Sequence, residues 1–245
     1  DKVYVLEANP RASRTVPLVS KVCNIRMVPL ATEIITAELT GRPSPIADMK
    51  EKQIPNYGVK EAAFPFNMFQ EVDPVLGPEM RSTGEVLGIS SSYGEAFLKA
   101  QEGVQSKLPM EGTVLISVND KDKAEAVGVA KILAEDGFKI VATGRTYDNI
   151  VAAGVQATKV KKLCEGRPNI YDMITNGDIH LIINTPVGKD SVTDDSYLRK
   201  AAIKAKVPYM TTIAAAQATA EGIHYVKNNP ESEIKSLQEY HSEIK

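Results

Sequence analysis

The chain has 245 residues, 29 Lys and Arg against 31 Asp and Glu, and a formal net charge of −2, with 43% hydrophobic residues and 2 cysteines. That length buries a sizeable core in one or two domains, and the charge balance argues against an electrostatic nucleic-acid or membrane partner. No apolar run spans a bilayer, no signal-peptide pattern is present, Cys23 and Cys164 read as reduced structural thiols, and His180, His224 and His241 share no zinc-ligand spacing.

Val3-Tyr4-Val5-Leu6 is a β-rich apolar run, predicted to be a strand, that leads into Glu7-x-Asn9-Pro10-Arg11. With two residues ahead of it, the run is expected to be the end of a site and not the start of a domain. Residues two apart on a strand share a face, so Glu7 and Asn9 would present a carboxylate and an amide oxygen together. Hard cations such as Mg²⁺ are held in this way, with substrate phosphates completing the shell. Arg11 and Arg14 add the fork-shaped donors that grip phosphate oxygens. A strand end with a solvated Glu and a proline turn is the competing reading of so short a motif.

A helix is predicted over about 29–41, with Leu30, Ile34, Ile35 and Leu39 at helical spacing and Gly41-Arg42-Pro43 stopping it. Residues 42–58 are polar and proline-rich, a connector. Strand-like runs follow in 57–69 and 84–89, with Phe64-Pro65-Phe66 as core, then a helix at 92–102. The pattern changes at 104–111. From Gly112 strands and helices alternate: strands at 113–118, 138–143, 157–160, 179–185 and 207–212, and helices at 123–137, 146–153, 169–176, 195–205 and 213–223. A last helix is expected over 230–243. Short apolar strands alternating with helices give a parallel sheet covered on both faces by right-handed crossovers.

Ligands of such sheets sit beyond the carboxyl ends of the strands. Ser117, Thr143, Gly144, Thr146, Asn184, Thr185 and Gly188 fall there, small donors on loops that open helices and can cradle a phosphate. Lys123, Lys162 and Lys189 would supply positive charge. Taken singly, Thr143 and Thr146 also read as helix caps and the lysines as solvated. Convergence on one sheet edge favours a shared anion pocket.

EANPRASRTVPLVSK at 7–21 is similar to the closing segment of the ATP-grasp domains of the carbamoyl-phosphate synthase large subunit. VKEAAFPFNMF at 59–69, DPVLGPEMRSTGEVLG at 73–88, Glu165-Gly166-Arg167-Pro168 and IINTP at 182–186 extend the likeness along the whole chain, specifically to the second ATP-grasp half. The resemblance implies an α/β protein: residues 1–105 as the C-terminal part of that ATP-grasp domain and 106–245 as a methylglyoxal-synthase-like allosteric domain with a five-stranded parallel sheet. It implies that Glu7 and Asn9 bind Mg²⁺ (or Mn²⁺) at ATP, and that Arg11 and Arg14 serve phosphate-bearing intermediates.

In the second part the resemblance places nucleotide effectors, UMP or UTP and IMP, on Ser117, Lys123, Thr143, Thr146, Lys162, Asn184 and Thr185. Three positions depart from the enteric pattern: Gly144 stands where a His lies, Pro186 where a hydroxyl residue lies, and Asp190 where a basic residue lies. An amino-acid activator, ornithine, would meet Glu61, Tyr209 and Thr211. Glu61 also reads as a structural ion pair and Tyr209 as core.

The implied partners are the glutaminase small subunit and the rest of the large subunit, in a cytoplasmic ATP-dependent ligase serving pyrimidine and arginine biosynthesis. The chain alone lacks a phosphate-gripping Gly-rich loop and an adenine pocket, so it is expected not to turn over ATP. Two other classes compete. A methylglyoxal synthase would need an Asp in a Gly-Gly-Asp loop and a later His, whereas the loop here reads Glu165-Gly166-Arg167-Pro168-Asn169 and no His follows Gly188 at the matching place. An isolated effector-binding module without catalysis is the other alternative.

Overall fold

The computed structural model describes residues 2–47, 49–68, 79–185, 192–230 and 234–245. It forms two compact units, one of residues 1–57 with 233–245 and the other of residues 58–232.

In the first unit, residues 2–10 have no regular secondary structure, which corrects the expected strand at Val3–Leu6. The reason is environmental. These four side chains are 94, 77, 85 and 96% exposed, and a lone β-rich run with neither a pairing strand nor a surface to cover gains nothing by becoming extended. Helix α1 (Thr15–Cys23) follows, closed by Asn24 in the left-handed conformation with its N–H on Ser20 O. α1 lies outside the expected elements; its Pro17 falls in the first turn, where proline is tolerated. Helix α2 (Met27–Thr40) ends at Gly41, φ +67. Its inner face carries Leu30, Ile34 and buried Ala37, while Ile35 and Leu39 are bare. The C-terminal segment belongs to the same unit: Gln53 and Lys245 exchange backbone bonds of 2.9 and 3.4 Å, and Asn56 Nδ2 donates to Glu243 Oε2 at 2.8 Å.

The second unit opens within a two-stranded sheet of β1 (Tyr57–Ala63), whose first residue closes the first unit, and β2 (Gly84–Ser90), with a 3₁₀ turn at Pro65–Met68 between them. Phe64 and Phe66 stack at 5.2 Å. Helix α3 (Tyr93–Gly103) lies against β2 so tightly that a Cβ on Gly88 would stand 2.0 Å from Ala96 O. Then come β3 (Thr113–Val118), α4 (Lys123–Glu135), β4 (Lys139–Thr143), α5 (Gly144–Ala152), β5 (Thr158–Val160), α6 (Ile170–Thr175), β6 (Leu181–Thr185), α7 (Val192–Ala205), β7 (Tyr209–Met210) and α8 (Ile213–Asn228). Strands β3 to β7 make one parallel sheet of order β5-β4-β3-β6-β7.

Period-two alternation sorts the core into two layers. Val114, Ile116, Ile140, Leu181 and Ile183 face α4, α5 and α8. Leu115, Val141 and Ile182 face α6 and α7. Both faces are covered, so the strands read as near-continuous apolar runs. The expected strands and helices between 113 and 205 are present with ends shifted by a few residues. β7 is shorter than the expected 207–212, and α8 runs past 223 to Asn228. The last helix is only α9, Leu237–Ser242, in place of 230–243. A reciprocal cap of Ser236 and Glu239 fixes its start: Ser236 Oγ accepts from Glu239 N at 3.3 Å and Glu239 Oε2 accepts from Ser236 N at 2.5 Å.

Candidate anion site at the carboxyl edge of the parallel sheet

In the order β5-β4-β3-β6-β7 the connections leave β3 in one direction and β6 in the other. The crevice beyond the carboxyl ends of β3 and β6 is therefore the topological switch point, where doubly wound sheets take their ligands. Register places Ser117 beside Asn184 and Val118 beside Thr185 across it.

Alternation puts Ser117, Thr143 and Asn184 on the α6/α7 side of the sheet, continuing the rows of Leu115, Val141 and Ile182. Ser117 Oγ and Thr143 Oγ1 are 2.8 Å apart, and Asn184 Nδ2 donates to the Tyr209 hydroxyl at 2.6 Å. Thr143, Asn184 and Thr185 are 2, 5 and 5% exposed. Buried polar groups at strand ends are kept only when hydrogen-bonded, and here Thr143 pairs with Ser117, Asn184 with Tyr209 and Thr185 with Asn119.

Thr143 occupies the cap position of α5, yet its hydroxyl makes no cap bond and goes to Ser117 instead. Thr146 Oγ1 accepts from Val118 N at 3.3 Å and donates to Val118 O at 3.2 Å. The helix-cap reading of this pair therefore fails: both hydroxyls tie α5 to β3. Gly144 opens α5 with φ +43, and a Cβ there would meet nothing within 4 Å.

Lys123 begins α4, its side chain only 12% exposed, with its ammonium on Asp120 Oδ1. Arg145 Nη2 holds the other oxygen, Asp120 Oδ2, at 2.8 Å. The hydrogen bond from Lys123 is the chief cause that holds the Asp120 carboxyl below the usual carboxylate range, with Arg145 adding to it. Lys162 is exposed two residues beyond β5, its backbone N–H on Glu165 Oε2 at 2.9 Å. The structure thus brings Ser117, Lys123, Thr143, Thr146, Asn184 and Thr185 to one edge, with Lys162 on the loop after the outer strand of the same edge. Pro186, Gly188, Lys189 and Asp190 lie outside the described residues.

Sequence reasoning missed Asn119, Asp120 and Arg145. Asn119 Nδ2 donates to Thr185 Oγ1 at 2.9 Å and to Asp122 Oδ2 at 2.5 Å, while Asn119 Oδ1 accepts from Lys121 N at 2.8 Å. This is an Asx turn that stitches the β3–α4 loop to the end of β6. Its signal, Asn-Asp-Lys-Asp between a strand and a helix, was visible. Arg145 carries no such mark.

The other expected residues lie elsewhere. Glu61 on β1 accepts from Gln101 Nε2 of α3 at 3.0 Å, which replaces the structural ion-pair reading by a neutral donor. Burial pushes the Glu61 carboxyl up, against the lowering bond from the Ala62 backbone. Tyr209 stands beside Asn184, and Thr211 is exposed just after β7. Glu7, Asn9, Arg11 and Arg14 are all exposed in the first unit. Asn9 Nδ2 donates to Glu7 Oε1 at 3.1 Å, so the two side chains do meet on one side of their segment. Two oxygen donors fit part of the shell of a hard cation that takes its other ligands from water and phosphate. Among the described residues no group of three His, Cys, Asp or Glu side chains could hold a metal. No described helix is long and apolar enough to cross a membrane.

Comparison with known proteins puts these observations in context. Residues 125–211 match the family described as MGS-like domain. The whole chain is 46% identical over 246 residues to the carbamoyl phosphate synthase large chain of Pseudomonas putida, covering 22% of it. The same protein of Acidobacterium capsulatum is 50% identical over 91% of the chain and 21% of the relative, and that of Archaeoglobus fulgidus 47% identical over 99% and 22%. The chain thus spans about a fifth of the length of the curated relatives it matches. A methylglyoxal synthase crystal structure from Elizabethkingia anophelis covers 53% of this chain and is itself 96% covered, at 17% identity and a TM-score of 0.39.

Proposed function

We propose, for a chain that carries an MGS-like domain and is homologous along its whole length to the carbamoyl phosphate synthase large chain, that it is the C-terminal portion of that large subunit. Residues 1–105 would be the end of the second ATP-grasp domain and 106–245 the allosteric domain. The whole enzyme is an ATP-dependent, cytoplasmic ligase that makes carbamoyl phosphate from bicarbonate and ammonia supplied by a glutaminase subunit, for pyrimidine and arginine biosynthesis. The division is one of relatedness and cuts across the compact units, since β1, β2 and α3 belong to the same unit as the parallel sheet.

In the catalytic half, Glu7 and Asn9 are the residues that would hold Mg²⁺ (or Mn²⁺), which would supply charge neutralisation at the phosphates of ATP. They would hold that ion through a carboxylate and an amide oxygen; their side chains lie within 3.1 Å of each other, with the Asn9 amide nitrogen donating to Glu7 Oε1. Arg11 and Arg14 bind and orient phosphate oxygens by charge-assisted hydrogen bonds. Val3–Leu6, Val28, Ile35 and Leu39 lie bare on the first unit, which supports packing against the rest of the large subunit. The chain by itself is inactive; ATP-dependent carbamoyl phosphate formation by the purified 245 residues would overturn that statement.

The second part is the effector domain. The observation that carries it is the convergence of Ser117, Thr143, Asn184 and Thr185 on the switch point, the last three within the matched MGS-like region and Ser117 on the strand ahead of it. A nucleotide phosphate there is held by backbone N–H groups and by Lys123, Thr146 and Lys162. Ornithine, where it acts, engages Glu61, Tyr209 and Thr211; the Tyr209–Asn184 bond would let the two effectors sense each other. Calorimetric titration with UMP, UTP and IMP tests the pocket. Lys162→Ala is expected to weaken nucleotide binding by about tenfold, the equivalent of one lost charge-assisted contact. Unchanged binding removes Lys162 from the site.

A further inference from the structure

We propose that Asp120 is a built-in competitor for the phosphate of the nucleotide effector, and that Arg145 is the second cation of the phosphate clamp it occupies. This inference rests on the effector reading given above. The two cations come from successive crossovers: Lys123 is the first residue of α4 and Arg145 the second residue of α5. Each takes one oxygen of the Asp120 carboxylate, Lys123 on Oδ1 and Arg145 Nη2 on Oδ2 at 2.8 Å. Two cations from two elements closing on two oxygens of one anion is the arrangement by which a phosphate is gripped.

Asp120 has the properties of a stand-in. It lies on the β3–α4 loop with its side chain 60% exposed, free to swing outward, and exposed ion pairs contribute little to a fold. Lys123 does not have that freedom, because its side chain is 12% exposed and its ammonium needs an anion close by. Arg145 is 75% exposed and held only at its tip, so it can follow the anion. Asp122, the other carboxylate of the loop, accepts from Asn119 and is not shared with the two cations in this way. A phosphate carrying close to two negative charges outcompetes a carboxylate carrying one. Displacement therefore frees Asp120 to solvent and transfers both cations to the ligand, and effector affinity is set by the difference between the two anions.

The test is a calorimetric titration of the whole chain with UMP, inorganic phosphate and uridine, for wild type, Asp120→Asn, Arg145→Gln and the double variant. Asp120→Asn is expected to tighten UMP and phosphate by about fivefold and leave uridine unchanged, and Arg145→Gln to weaken UMP by about as much, as for a lost charge contact near a surface. In the double variant the gain from Asp120→Asn shrinks. If wild type binds UMP and Asp120→Asn binds it equally or more weakly, this inference is overturned while the effector reading stands. If neither wild type nor Asp120→Asn binds any nucleotide, the effector reading falls and takes this inference with it. Melting curves of the variants, with a small loss expected for Asp120→Asn because Lys123 loses its anion and none for Arg145→Gln, separate lost binding from lost folding.

Discussion

Thr143 and Thr146 are three residues apart at the start of one helix, and each reaches back to β3 by a different route, Thr143 to the Ser117 hydroxyl and Thr146 to both backbone groups of Val118. A hydroxyl buried in this way stabilises only while its partner is present. Thr143→Val should therefore cost about 1 kcal/mol of stability and also weaken UMP binding, as read by urea unfolding and calorimetry. Glu61 makes a pH prediction. Burial raises its carboxyl, so the native state binds more protons than the unfolded state as pH rises from the unfolded pKa to the folded one, and stability falls across that window. Glu61→Gln keeps a partner for Gln101 and removes the buried charge. It should melt higher than wild type at neutral pH, with the difference closing as pH falls below the ordinary Glu range; a difference independent of pH would contradict this. Residue types at the edge were legible from strand-end position alone. The turn at Asn119 and Asp120 was visible, but its ties to Thr185 and Arg145, 66 and 25 residues away, were not.

Among the elements, α3 depends most on absent side chains. Its face meets β2 at Gly88 and α8 at Gly94 and Gly222, where an added Cβ would stand 2.0 Å from Ala96 O, 2.9 Å from Glu221 C and 2.7 Å from Gly94 O respectively. Gly88→Ala should destabilise by about 3 kcal/mol or more and Gly94→Ala by about 1–3 kcal/mol, as overpacking does. Chemical denaturation would read both. The alternation of βα units between 113 and 205 was legible because each strand is a short apolar run and each helix has its own periodicity. Three elements were not. The Val3–Leu6 run has strand composition but pairs with no strand among the described residues, α1 carries Pro17 in its first turn, and α9 begins only where Ser236 and Glu239 cap each other. Pairing, first-turn geometry and capping depend on context that local composition does not carry.

At the scale of the molecule, a strand order with β3 and β6 central brings residues from 117 to 185 to one crevice, and this is what turns scattered donors into a site. The parallel sheet was legible as a fold class; the strand order and the hydrogen bonds within the edge were not. The first unit presents bare apolar residues, and the chain matches about a fifth of its relatives, which fits the proposal that catalysis needs the longer assembly while effector binding needs only this chain. The most direct test is an amide NMR titration of the 245-residue chain with UMP. The account predicts saturable shifts clustered at residues 117–123, 143–146, 162 and 184–185. No saturable shifts, or shifts confined to the groove between Phe138 and Thr158 at the opposite end of the strands, would contradict it.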